Sequence, residues 1–335
     1  DCAMKKTFDV CGLGNAIVDI FLEVSDTDFD SLGFERGTMR LVEQVEQQQL
    51  LTRFHDGDHD LRLVSGGSVA NSIIGLQQLG GKCAFIGCVG DDRYGLHYVE
   101  EFEKLSIDIG NPVLVGETTG TCIAVITPDA ERTMRTCLAV SSKLAARHVD
   151  ARRIAESQWL FIEGYVFANP DTGQHAIRDA IRIAKENGTK VALTCSDAFI
   201  PEVFGEPFRA AMADSDLLFC NAPESVAVTQ AADAKEAFAK LQRMVPNCVV
   251  TDGANGALVR VAGQESRVAA VACQPKDLTG AGDMFAGAFL YGITQGMAPE
   301  LAARGANYMC HKVITQIGAR LHQGAQDYWK TAIAG

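Results

Sequence analysis

Short apolar runs alternate along this chain with longer stretches in which apolar residues recur every three or four positions. The runs at 8–13, 61–64, 83–88, 159–162, 190–194, 217–220, 248–251 and 257–261 are too short for helices. They are rich in β-branched and aromatic residues, are mostly bounded by turn formers, and read as strands. Between several of them, 69–79, 94–105, 170–187 and 234–244 carry the helical period. Two closing stretches, 282–294 and 299–315, read as helices with small residues on their packing faces. This alternation predicts right-handed βαβ units and a mainly parallel sheet flanked by helices on both faces, a three-layer α/β fold.

Two stretches break the rhythm. Residues 20–40 and 112–138 are rich in β-branched residues, glycine and turn formers. They predict short strands with no helix between them, forming a small antiparallel sheet that stands off the main one as a lid. Without a long linker or repeat, residues 5–330 read as one unit carrying that lid. His55-Asp56-Gly57-Asp58-His59-Asp60 gathers metal-binding residue types, but no regular spacing fixes a geometry, so it reads as a solvated turn after a helix.

Composition narrows the function. A net charge of −12 disfavours nucleic acid and anionic membranes as partners. No stretch of about 18 apolar residues is present to span a bilayer. The 11 cysteines are odd in number, sit within apolar runs and form no C-x-x-C pair, so they read as buried reduced thiols in a cytoplasmic enzyme rather than a disulfide framework or zinc site.

In open parallel sheets, ligands bind beyond the carboxyl ends of the strands. Those ends carry Gly12-Leu13-Gly14-Asn15, Gly66-Gly67-Ser68, Glu163-Gly164-Tyr165, Asn221-Ala222-Pro223-Glu224 and Thr251-Asp252-Gly253, so small, polar and acidic residues gather on one edge. The most informative stretch is Asp277-Leu278-Thr279-Gly280-Ala281-Gly282-Asp283-Met284-Phe285, which runs into a helix. Small residues there leave backbone N–H groups exposed to an anion, and the helix dipole adds positive potential. Asp283 in the first turn could accept a proton from an attacking hydroxyl while Gly280, Ala281 and Gly282 hold the transferring phosphoryl group.

That stretch closely resembles the D-T-T-G-A-G-D-x-F signature of the PfkB (ribokinase-like) carbohydrate kinases, with Leu278 in place of one threonine. Gly66-Gly67-Ser68-Val69-Ala70-Asn71 resembles the family's N-terminal signature and Asn221-Ala222-Pro223-Glu224 its N-x-x-E motif. The resemblance implies a ribokinase-like fold and an ATP-dependent kinase with Asp283 as base and Mg²⁺ as cofactor. It places Asp19, Gly66, Gly67 and Asn71 on acceptor hydroxyls, and Glu224 in the Mg²⁺ shell through water. Asn221, Thr251, Gly253, Gly256 and Asn307 fall to the nucleotide. Asp277 and Thr279 resemble part of a monovalent-cation site that would take K⁺. Arg132, on a predicted lid strand, would close over the transferring phosphate.

Gly14-Asn15-Ala16-Ile17-Val18-Asp19-Ile20 and Ile162-Glu163-Gly164-Tyr165 are similar to the adenosine-kinase branch. This adds Asn15 and Tyr165 to the acceptor side and implies a purine nucleoside as substrate, with Ile17, Val42, Leu138 and Tyr165 or Phe167 as a slot for the base. Arg135 and Cys137 depart from that branch, which keeps a free sugar such as ribose or fructose open. A dinucleotide-binding reading fails because Ile17 stands where a third glycine is needed, and Gly80-Gly81-Lys82 lacks the remainder of a phosphate-binding P-loop. A non-catalytic sugar-binding relative would have no use for Asp283. Exposed lid edges imply either a monomer or a lid-paired homodimer.

Overall fold

The computed structural model describes residues 6–54, 61–110 and 113–334, so the 55–60 cluster lies outside the described residues. The strands are β1 (Phe8–Leu13), β2 (Ile17–Glu23), β3 (Met39–Leu41), β4 (Arg62–Gly66), β5 (Cys83–Ile86), β6 (Asp108–Ile109) and β7 (Gly120–Ile126). There follow β8 (Arg132–Cys137), β9 (Ser157–Ile162), β10 (Lys190–Thr194), β11 (Leu217–Asn221), β12 (Asn247–Thr251), β13 (Ala257–Val261) and β14 (Gln264–Val268). They form a nine-stranded sheet ordered β14-β13-β12-β11-β10-β9-β1-β5-β6 and a five-stranded sheet ordered β3-β8-β7-β2-β4.

The large sheet is parallel from β12 to β6, with β13 and β14 added antiparallel at one edge. Its central strands are buried on both faces, which explains why they read as continuous apolar runs. On β9, Trp159 and Phe161 join the core beneath helices Ser68–Gln78, Ala281–Thr294 and Pro299–Ile314, while Leu160 and Ile162 join the core beneath helix Gly173–Glu186. β1 divides the same way, Val10 to one side and Cys11 and Leu13 to the other. All ten described cysteines are free, eight of them buried.

The small sheet departs from expectation in three respects. It begins at Ile17, not residue 20, and recruits β4 as an edge strand, although 61–64 was expected in the main sheet. Strand length and hydrophobicity say nothing about which sheet a short run will join. The sheet is mixed rather than antiparallel, since β2 pairs with β7 and β3 with β8 in parallel. A short helix, Asp26–Asp30, also interrupts the first lid segment, started by the Ser25 side chain accepting from the Asp28 N–H.

Alternation along β2 sends Val18, Ile20 and Leu22 into packed cores and puts Ile17, Asp19 and Phe21 on the other face. Pairing puts Gly120, Cys122 and Ala124 of β7 beside those three residues, and Arg132 of β8 beside Ile126. Arg135 falls on the reverse face, its guanidinium 4.1 Å from the Phe34 ring and donating to the Thr38 and Met134 carbonyls. Its departure from the adenosine-kinase pattern therefore concerns lid packing. Phe167 also leaves the proposed base slot, because it is buried in the opposite core against Phe208.

Candidate active site

Gly280 starts helix Ala281–Thr294 in the left-handed conformation (φ +79°), and a Cβ there would stand 2.5 Å from the Ala319 carbonyl oxygen. Only glycine fits. The Ala281 N–H turns back to the Leu278 carbonyl at 3.3 Å, so Ala281 contributes less to an anion hole than its position suggested. Gly282 is exposed, with open space beside its Cα. The first turn of a helix leaves its leading N–H groups without intrahelical acceptors, here directed at the same opening as Asp283.

Asp283 is held from a second helix. Ser68 Oγ donates to its Oδ1 at 2.7 Å and Asn71 Nδ2 to its Oδ2 at 3.2 Å, while Ser72 Oγ donates to its backbone carbonyl at 2.8 Å. Burial pushes its carboxyl up to about 6, against the pull of the Ser68 and Asn71 hydrogen bonds. Helix Ser68–Gln78 presents three polar side chains because Gly67 enters it at φ +111°, where a Cβ would meet the Asn15 carbonyl oxygen at 2.1 Å. That helix has no side-chain cap of its own. Glu163, at the end of β9, accepts from the Val69 N–H at 3.2 Å and also from the Asn15 N–H. Burial pushes this carboxyl up to about 8.

Asp19 stands beside Gly66, whose added Cβ would lie 2.8 Å from its Oδ2. Burial pushes it up to about 7, opposed first by Arg320 and then by Arg132. Asn15 is buried with its Oδ1 unpartnered. Tyr165 is half-buried, tilted against Phe199 with ring centroids 6.2 Å apart. Burial raises its hydroxyl well above the usual range, and the carboxylates of Asp197, Glu163, Asp283 and Glu224 add to the effect.

Two adjoining cavities meet at the helix start. One, of about 210 Å³, is lined by Ser68, Ser196, Asn221, Glu224, Gly280, Gly282 and Asp283. The other, of about 410 Å³, is lined by Gly253, Ala254, Gly256, Val271, Asn307, Cys310 and His311. Thr251, Leu278, Ala281, Gly282 and Phe285 border both. Asn221 and Glu224 form a reciprocal cap at 2.9 and 2.8 Å that fixes the start of helix Ala222–Thr229. Burial pushes the Glu224 carboxyl up to about 7, and the Asp197 and Asp283 charges add to that. A buried carboxylate whose negative charge is disfavoured suits a hard divalent cation such as Mg²⁺. Asn307 lines the larger cavity, but its Nδ2 already serves the Val268 and Ala269 carbonyls at 3.3 and 3.0 Å.

Arg132 reaches down from the small sheet, its Nη2 2.8 Å from Asp277 Oδ2 though off the line of a hydrogen bond. Phe21 lies between it and Arg62, each guanidinium carbon 5.1 Å from the ring centre. Asp277 also accepts from the N–H groups of Thr279 (3.0 Å) and Gly318 (2.9 Å). Burial would raise its carboxyl, but these N–H groups, the Thr279 side chain and Arg132 hold it below its usual value. A K⁺ ion at Asp277 would share the carboxylate with that guanidinium. Ser68 and Glu163 fall within the sequence motifs without either receiving a role of its own there, and Arg320 lies beyond them. Ser68 was legible in principle, since it follows Gly66-Gly67 at a helix start.

The family model for the pfkB family carbohydrate kinase matches residues 40–324. The chain is 24% identical over 334 residues to the adenosine kinase of Schizophyllum commune, covering 91% of this chain and 94% of that one. Among solved structures, the adenosine kinase from Sinorhizobium meliloti is 31% identical with a TM-score of 0.87, covering 97% of this chain and 99% of that one. A probable sugar kinase protein from Rhizobium etli CFN 42 is 30% identical with a TM-score of 0.88, covering 98% and 99%. This chain belongs to the pfkB family of carbohydrate kinases, ATP-dependent phosphotransferases with a ribokinase-like fold, and it resembles their adenosine-kinase-like branch.

Proposed function

We propose that the chain transfers the terminal phosphoryl group of ATP to the primary, 5′-type hydroxyl of a purine nucleoside such as adenosine, in the cytoplasm. The observation that carries this reading is the Asp283 carboxylate, held by Ser68 and Asn71 where the two cavities meet at a glycine-rich helix start. Asp283 takes the hydroxyl proton as the oxygen attacks, and the N–H groups around Gly282 receive the phosphoryl charge. Asp19, Asn15, Asn71 and the Gly66-Gly67 backbone orient the sugar. The larger cavity takes the nucleotide base, and Glu224 holds Mg²⁺ through water beside Asn221. The metal, when bound, offsets phosphate charge. Arg132 leaves Asp277 for the transferring group as the lid settles.

Ile17, Phe21, Cys122 and Ala124, grouped around Asp19, supply apolar surface for a base on the acceptor side. A free sugar such as ribose or fructose is the second reading, favoured by the similarity to a sugar kinase at 30% identity. It keeps every residue named except that surface. The test is ATP consumption with Mg²⁺ across adenosine, inosine, guanosine, cytidine, ribose, fructose and 2-keto-3-deoxygluconate. Adenosine turning over far faster than the free sugars supports the nucleoside reading. A sugar turning over fastest removes the base surface and leaves Asp283 in place.

A further inference from the structure

β4 is an edge strand, and its last residues lead into the Gly66-Gly67 turn on the acceptor side. Ser65 pairs with Val18 on one side only, so its outward N–H and C=O need partners from elsewhere. One ion pair supplies both. Arg320, beyond helix Pro299–Ile314, donates from Nη2 to the Ser65 carbonyl at 2.6 Å. Its Nη1 lies 2.7 Å from Glu101 Oε1, and Glu101 Oε2 accepts from the Ser65 N–H at 3.0 Å. His97 Nε2 stands 3.1 Å from the same carboxylate oxygen. Tyr98 extends the grip to the next residue, donating from its hydroxyl to the Gly66 carbonyl at 3.1 Å.

The segment that carries Arg320 also reaches the other half of the site. The Gly318 N–H donates to Asp277, and Ala319 packs against Gly280. A run of three residues therefore braces both the acceptor turn and the loop that starts the catalytic helix.

We propose that Arg320, closed into a ring with Glu101 and Ser65, is a positioning residue for the acceptor: it sets the Gly66-Gly67 backbone and the place of Asp19 without touching substrate. This deepens the function proposed above and rests on its acceptor-side assignment. The side chains of Arg320 and Glu101 are 13% and 25% exposed, so the pair is well shielded from water. Charge agrees with geometry. Burial alone would raise the Glu101 carboxyl, yet Arg320, Ser65 and His97 together hold it below its ordinary value. Arg320 is also the foremost influence favouring the charged form of Asp19. A fastening that served only stability would loosen both substrates alike; this ring touches the acceptor turn directly and the nucleotide cavities only through the loop at Gly280.

Steady-state kinetics of Arg320→Gln, Glu101→Gln and the double variant test this, using the acceptor turned over fastest in the panel. Arg320→Gln is expected to raise acceptor KM about 10- to 100-fold, the range for a misplaced binding group, with ATP KM changed less than about threefold. The double variant should be no more than about twofold worse than Arg320→Gln, because both substitutions open one ring. Titration with ATP certifies that each variant folds. Should Arg320→Gln fail it, Arg320→Lys keeps the charge but can serve only one of the two partners, and is expected to raise acceptor KM alone. Equal rises in the two KM values, or an unchanged acceptor KM in a folded variant, overturn the proposal. Asp19→Asn run in parallel separates the two levels. If it leaves acceptor KM unchanged, the acceptor-side assignment itself fails; if it raises KM while Arg320→Gln does not, only the positioning role is lost.

Discussion

The role proposed for Asp283 as a base comes at the expense of stability, and Asp283→Asn exposes that trade. Burial moves its carboxyl from 3.8 to about 6. At about 1.4 kcal/mol per tenfold change, that is roughly 3 kcal/mol of destabilisation once the group is ionised in the folded state. Asp283 is only half-buried and borders a cavity, so water screening brings the figure to about 1–2 kcal/mol. The sign follows from proton counting. Between the two values the folded chain binds more protons than the unfolded one, so the penalty is full above about 6 and gone below about 4. Asparagine keeps the shape and one acceptor for Ser68 or Asn71. At pH 7.5 the variant should therefore melt higher by about 1–3 °C, given the unfolding entropy of 335 residues. Relief of the Asp283 charge on Glu163, Asp19 and Glu224 adds in the same direction. Calorimetric melts of both proteins at pH 7.5 and pH 4.5 give the comparison, with the gap shrinking at the lower pH. Turnover of the same variant should fall by about 10² to 10⁴, the usual result of losing a general base. A variant that melts lower at pH 7.5, or with the same gap at both pH values, refutes the claim that desolvation holds this carboxyl high.

The remaining expectations concern the same machinery. For the wild type, kcat/KM for the acceptor should decline as pH falls through about 6–7, since Asp283 must be ionised to take the proton and Asp19 to accept the acceptor's hydrogen bonds; a flat pH–rate profile down to pH 5 contradicts this. Gly280→Ala meets both the positive φ and the Ala319 carbonyl, so a loss of about 1–3 kcal/mol in denaturant melts is expected, together with weaker ATP binding. Unchanged stability would mean that the loop relaxes freely. Arg132→Ala should lower kcat at least tenfold and leave ATP KM within about threefold, since the guanidinium acts on the group in transit; an effect on ATP KM alone would place it with ground-state binding.

What could be read from the chain beforehand follows from the range over which each signal acts. β1 and β10 fell where expected because a parallel-sheet core strand is a short apolar run between turns, a wholly local pattern. The glycine-rich helix start was legible for the same reason: Gly280, Gly282 and Asp283 are consecutive or nearly so, and their conformation follows from their own spacing. β4 was misplaced because sheet membership depends on partners elsewhere, here β2. Arg135 drew attention on position alone, and only the register of β7 and β8 reveals that it faces away from Asp19. The Arg320–Glu101–Ser65 ring joins positions so far apart that no local window contains it.

The electrostatics of the site tie these elements together. Burial pushes Asp19, Glu163, Glu224 and Asp283 upward, and each is placed by a different segment of the chain. Such a cluster works against folding, because carboxylates brought together in a shielded space oppose one another's ionisation. The nearby guanidinium groups are already committed, Arg132 to Asp277 and Arg320 to Glu101 and Ser65. Glu163 shows how the fold turns part of this burden to use: its buried carboxyl caps the helix that carries Ser68 and Asn71, and so fixes the two donors that grip Asp283. Asp19 and Asp283 have no comparable structural duty. Under the proposed function their charges are put to use, one carboxylate orienting the acceptor hydroxyl and the other taking its proton, with Asp19 carried by β2 and Asp283 by helix Ala281–Thr294.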